Sequence, residues 1–156
     1  DKDTSRGLGD VYKRQTCDLA IASNEAVFIT PGVNIGLFCS TPMVAVSRSL
    51  GRKKTMEMLL TGESMNAEDA VSFGLINKKV PLNELEITVL NFAKLIASKP
   101  TSTVRIGKEA FYKQAELPIE KAYKYTSEVM AQNMLKKDAK EGIEAFLEKR
   151  EPKWEN

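Results

Sequence analysis

The chain has 156 residues, 42% of them hydrophobic and 28% charged, with 23 basic and 21 acidic side chains giving a formal charge of +2. Length and composition fit a single soluble globular domain with its own core, and they exclude collagen-like and disordered chains. The near balance of charge gives no electrostatic case for nucleic acid or an anionic membrane, and no apolar run reaches the ~18 residues of a membrane span.

Residues 1–15, DKDTSRGLGDVYKRQ, are rich in glycine and charge and follow neither a helical nor a strand period. GDVYKRQ resembles a translated adapter, so the string is set aside from the fold, and it has no apolar stretch of the kind that marks a signal peptide. CDLAIA, residues 17–22, alternates Cys17, Leu19 and Ile21 against Asp18, Ala20 and Ala22 and predicts a largely buried strand. Ser23-Asn24-Glu25 supplies a turn and residues 26–29 a second strand. Thr30-Pro31-Gly32 then breaks the ladder, since proline has no N–H to donate.

Helices come next. Thr41 and Pro42 fit the cap and first position of a helix that Gly51 can stop. Residues 52–60 predict a second helix with Met56, Leu59 and Leu60 on one side. Asn66, with Asp69 three positions on, opens a short helix that ends at Gly74. Residues 75–80 are expected to be extended and closed by Pro81. In residues 84–97, Leu85, Val89, Phe92 and Ile96 recur at helical spacing. Residues 101–114 predict a helix despite Gly107, and Pro118 begins another that carries Ile119, Ala122, Tyr123 and Met130. Asp138 and Glu141 look like a capping box for the last helix, whose apolar face is Ile143, Phe146 and Leu147. After about residue 80 only helices are expected.

There is no histidine, so no Ser-His-Asp triad, Cys-His pair or histidine-based zinc site can form within the chain. Cys17 and Cys39 form no CxxC motif and are expected to be buried reduced thiols. Cys39 lies just before a helix start, where the dipole would activate a thiol, but a small apolar filler in GLFCS is the simpler reading. Asp18 on its strand and Glu25 in its turn read as hydrogen-bonded and solvated carboxylates, not as catalysts. Arg48, Arg52, Lys53 and Lys54 read as a solvated face, because no aromatic stacking platform accompanies them.

CDLAIAS, FITPGVNIGL, LGRKKTMEMLLTGESMNAEDAVSFGLINKKVP and the terminal EGIEAFLEKREPKW occur in the order and spacing of the enoyl-CoA hydratase/isomerase (crotonase) family, which the chain resembles over residues 16–154. The resemblance implies an α/β fold: residues 16–81 would be the last ββα turn of a crotonase-type spiral, and residues 82–156 an all-helical C-terminal trimerisation region. Earlier turns of that spiral would be missing, leaving apolar surface exposed and the chain poorly stable. The implied partners are an acyl-CoA thioester and further copies in a homotrimer or hexamer, with no nucleic acid and no membrane span. No cofactor is implied beyond coenzyme A as part of the substrate. The member it most resembles implies a mitochondrial location and a place in fatty-acid metabolism.

Hydration of an enoyl thioester needs backbone N–H donors for the thioester oxygen and a pair of carboxylates to move water's protons. In the family one carboxylate is the glutamate of a Pro-Glu pair; here the pair reads Pro31-Gly32. The count for the other lands on Tyr12, and for an oxyanion glycine on Gly9, both inside the excluded string. No catalytic residue is therefore assigned. By the same resemblance Pro31, Gly32, Ile35 and Gly36 would line the acyl pocket, Gly32 opening the space a glutamate would occupy. Phe146 and Lys149 would meet the CoA nucleotide of a neighbouring subunit, the ring facing adenine and the ammonium facing phosphate. An isomerase or thioesterase using one carboxylate from elsewhere, or a non-catalytic assembly subunit, are the alternatives.

Overall fold

The computed structural model describes residues 16–155, so Gly9 and Tyr12 lie outside the described residues. It forms two compact units that divide between Leu90 and Asn91, where the composition alone suggests one domain.

In the first unit, β1 (Ile21–Ser23) pairs in parallel with β4 (Lys78–Val80), and β2 (Val27–Ile29) pairs antiparallel with β3 (Ser64–Asn66). A parallel pair needs a long crossover. It is supplied by α1 (Pro42–Ser49), α2 (Arg52–Thr61) and α3 (Ala67–Ser72), which lie between β1 and β4 in the chain. The first strand is shorter than its sequence suggests. Its partner β4 has only three residues, and just before the ladder the Asn77 side chain takes the Ala20 N–H at 2.8 Å. Cys17 therefore lies outside the strand and is exposed, against the expectation of a buried thiol. The extended stretch expected from residue 75 also shortens, because the N–H groups of Leu75 and Ile76 turn back to the Ala70 carbonyl.

Local signals place the helices well. Pro42 opens α1, and the Asn66 side chain accepts the Asp69 N–H at 2.8 Å to cap α3. Gly74 follows α3 with φ +82°, a conformation open to glycine at little steric cost. The core gathers Val46, Leu50, Met58, Met65, Ala70, Leu75 and Ile76, with Phe28 and Val71 packed against it. On α2 the inward face is Thr55, Met58 and Leu59, while Met56 and Leu60 are exposed. That corrects the face read from the sequence. Apolar residues at 56, 58, 59 and 60 circle the helix, so their spacing does not single out one side.

The second unit is helical throughout its ordered elements. The long α4 (Leu85–Ala97) crosses the boundary and buries none of its residues. Beyond it, α5 (Thr101–Ala115) runs alongside α6 (Ile119–Met134), and α7 (Lys137–Glu148) packs on both. The buried apolar residues here are Ala110, Ala122 and Ala145, while Ile119, Tyr123, Met130, Leu135, Phe146 and Leu147 are all exposed. Small residues let the helices approach closely, but large apolar side chains are left facing outward. The expected capping box does not form. Asp138 is buried and accepts a hydrogen bond from the Ser102 hydroxyl of α5, and Glu141 binds Arg150. Tertiary partners have drawn both acids away from the helix end.

Candidate functional site

Residues 31–36 form a tight 3₁₀ turn, Pro31–Ile35, between β2 and α1, ended by Gly36 at φ +76°. Proline at its first position presets the backbone, and the left-handed glycine reverses it. The turn is fastened to the end of α2. The buried Thr30 hydroxyl donates to the Met58 carbonyl at 3.0 Å, and the Asn34 amide reaches the Gly62 carbonyl at 3.5 Å. Gly62 is itself left-handed, and a side chain there would meet Asn34.

Within the turn Gly32 is buried and both its backbone groups are occupied. Its N–H donates to Cys39 Sγ at 3.3 Å, and its carbonyl accepts the Leu37 N–H at 2.9 Å. A Cβ added at Gly32 would lie 2.6 Å from the Leu37 carbonyl oxygen and 2.8 Å from Cys39 Sγ. The sequence suggests open space where a glutamate would stand; that space is filled by backbone and sulfur. Cys39 is buried, so its thiol fills the turn in the way the simpler reading expects. Pro31 is half-buried, while Gly36 is exposed and Ile35, Leu37 and Phe38 form an exposed apolar edge.

Asp18 and Glu25 are both exposed. In the basic cluster, Lys54 pairs with Glu57 at 2.8 Å and sits 5.0 Å from the centre of the Phe73 ring, and the Arg48 guanidinium bonds the Val44 carbonyl. Among the described residues no three potential ligands gather to hold a metal ion, and no helix is long and apolar enough to cross a membrane.

Phe146 and Lys149 belong to the second unit. The Phe146 side chain is 81% exposed, and Lys149 ends α7 with φ 55° and ψ 40°. A lysine in this left-handed region costs about 1–2 kcal/mol relative to an unstrained backbone. Among the described residues it is the only non-glycine with positive φ. The Arg150 N–H bonds the Ala145 carbonyl at 3.0 Å, closing a Schellman motif that satisfies the helix end.

Of the residues that enforce this cap, the sequence points only to Glu141, and to the opposite end of the helix. Glu141 takes two bonds from the Arg150 guanidinium, at 2.6 and 3.0 Å, and one from the Lys153 N–H at 2.7 Å. Arg150 Nε also binds Glu148. The Trp154 ring lies over Gly142, 3.3 Å from where a Cβ would stand. The Arg150 hydrogen bonds, followed by that of the Lys153 N–H, hold the Glu141 carboxyl down from an ordinary 4.5 to about 2. Because the folded value is depressed, the stabilisation is complete above the unfolded value and is lost as pH falls through about 2. Emission from Trp154, the single tryptophan, is expected to stay constant down to about pH 4.5 and to change as the pH falls towards 2. A transition centred above pH 4.5, with the far-ultraviolet helix signal intact, would contradict this clamp.

Residues 13–156 match the family model described as enoyl-CoA hydratase/isomerase. The chain is 50% identical over 139 residues to enoyl-CoA hydratase domain-containing protein 3, mitochondrial, of Rattus norvegicus, covering 89% of this chain and 46% of that protein. It is 48% identical over 139 residues to the Homo sapiens protein of the same name, with the same shares covered. A solved enoyl-CoA hydratase of Mycobacterium smegmatis superposes with a TM-score of 0.91 at 44% identity, over 95% of this chain and 58% of that one. The crystal structure of human enoyl-CoA hydratase domain-containing protein 3 superposes with a TM-score of 0.88 at 46% identity, over 93% and 57%. The chain thus spans about half the length of the curated relatives it matches, and its α/β architecture is of the crotonase type.

Proposed function

The chain belongs to the enoyl-CoA hydratase/isomerase family, and from that premise we propose that it forms part of an acyl-CoA-binding protein with little or no hydratase activity. The observation that carries the reading is Gly32. The family's Pro-Glu carboxylate falls on a glycine whose backbone groups are engaged and whose Cβ position is occupied. General acid–base transfer needs a titratable group within hydrogen-bonding reach of the proton. Position 32 offers none.

In this reading a thioester lies against the turn. Pro31, Ile35 and Gly36 line its acyl end, with Gly32 as closed floor, and Phe146 and Lys149 meet the nucleotide of a CoA held by a neighbouring copy. No cofactor is required. The protein acts in fatty-acid metabolism in mitochondria, as a homotrimer or hexamer. The names of its relatives support the location.

Calorimetric titration of CoA and acetyl-CoA into the full-length protein, beside a crotonyl-CoA turnover assay, tests the reading. Binding without turnover is expected, and hydration of crotonyl-CoA would sink it. The large exposed side chains of α6 and α7 favour a second reading, a non-catalytic assembly subunit. Failure to bind CoA, with the oligomer intact, would select that one.

A further inference from the structure

We propose that Glu141 is a positioning residue that presents Lys149 to the CoA phosphates, by locking the chain after α7 onto the helix. The inference rests on the reading of Lys149 as a nucleotide contact and adds how that contact is built. Lys149 occupies a backbone conformation lysine does not choose unaided, and contacts made by Arg150 and Lys153 keep it there. Glu141 lies two turns before the helix end, yet it holds Arg150 through two guanidinium nitrogens and Lys153 through its N–H. Lys149 is therefore bracketed: the helix fixes it on one side and the Glu141 clamp on the other. Trp154 on Gly142 and the Lys137–Glu155 ion pair continue the strap along α7. A planar, bidentate carboxylate–guanidinium pair fixes direction as well as distance, which a single lysine–carboxylate contact would not.

The pair is partly exposed, so its removal should leave the helices formed and loosen only the strap. Glu141→Gln keeps the side chain's shape and removes its charge, and Arg150→Gln breaks the same contact from the other end. In the full-length protein each is expected to weaken CoA binding roughly three- to tenfold, the double variant no further than either alone. Affinity for S-acetylpantetheine, which lacks the nucleotide, should not change. Amide exchange at Arg150 and Lys153 should quicken in both variants while that of α5 and α6 holds. CoA affinity unchanged in both variants, when Lys149→Ala lowers it, overturns the clamp and leaves the nucleotide site standing. Normal CoA binding by Lys149→Ala removes the site and the clamp's role with it. Equal losses for CoA and S-acetylpantetheine would make the strap merely structural, and that too overturns the proposal.

Discussion

Replacing Gly32 with glutamate, the residue that the family resemblance implies at this point, is expected to lower stability by about 4 kcal/mol and to confer no hydration of crotonyl-CoA. The Cβ would meet the Leu37 carbonyl oxygen at 2.6 Å, a backbone atom that cannot swing aside as a side-chain tip could. Relief would require moving residues 37–39, and those are tied to Gly32 by the Leu37 N–H and Cys39 Sγ contacts. Overpacking of this kind costs roughly 1–3 kcal/mol, and a carboxylate buried without a partner adds a comparable penalty. Gly32→Ala separates the two effects, since its methyl meets the same obstacles without charge. It should account for about half of the loss. Chemical denaturation and a turnover assay on the full-length protein check both numbers. A Gly32→Glu protein as stable as its parent, hydrating crotonyl-CoA, would show that only a side chain is missing.

The difference between a missing side chain and a closed site bears on what the turn can do. A glycine in open space leaves a gap that water or another carboxylate could fill. Gly32 instead sits beneath a loop that has closed over it, with its N–H committed to sulfur. Thus the turn presents to solvent the apolar edge of Ile35, Leu37 and Phe38. With both backbone groups of Gly32 engaged, position 32 holds no group that could take a proton from water, in keeping with the proposed acyl contact.

The features legible in the sequence are those decided within a few residues. Asn66 caps its helix through the N–H three positions on, and Gly74 ends it by its own backbone freedom, so both ends of α3 were legible. The start of α7 was legible to within a residue but its capping box was not, because Asp138 and Glu141 are claimed by Ser102 and Arg150, 36 and 9 positions away. The absent carboxylate at position 32 was visible as a letter, while the filling of its space depends on the chain reversing at Gly36 to bring Leu37 and Cys39 back. Likewise the exposed state of Phe146 follows from alanines at 110, 122 and 145 carrying the helix contacts, which no spacing of large residues announces.

The face of α2 provides the second large effect, because two adjacent leucines there have opposite surroundings. Leu59 is 1% exposed and Leu60 is 59% exposed. Consecutive residues on a helix point about 100° apart, so a sequence reading that puts both on one side cannot separate them. Truncating a buried leucine removes its transfer energy and leaves a cavity, and Leu59→Ala is expected to cost about 3–4 kcal/mol. Leu60→Ala should cost about 0.5 kcal/mol or less in this chain, since the side chain already faces water. A cost of about 3–4 kcal/mol is a large share of the net stability of any small domain, and α2 also carries the Met58 carbonyl that anchors Thr30. Loss of Leu59 should therefore loosen the Pro31–Ile35 turn together with the core, raising amide exchange at Leu37 as well as lowering the denaturation midpoint. Equal effects at the two leucines would mean that the helix presents the face its sequence suggests, and that the turn is not held where the Thr30 bond places it.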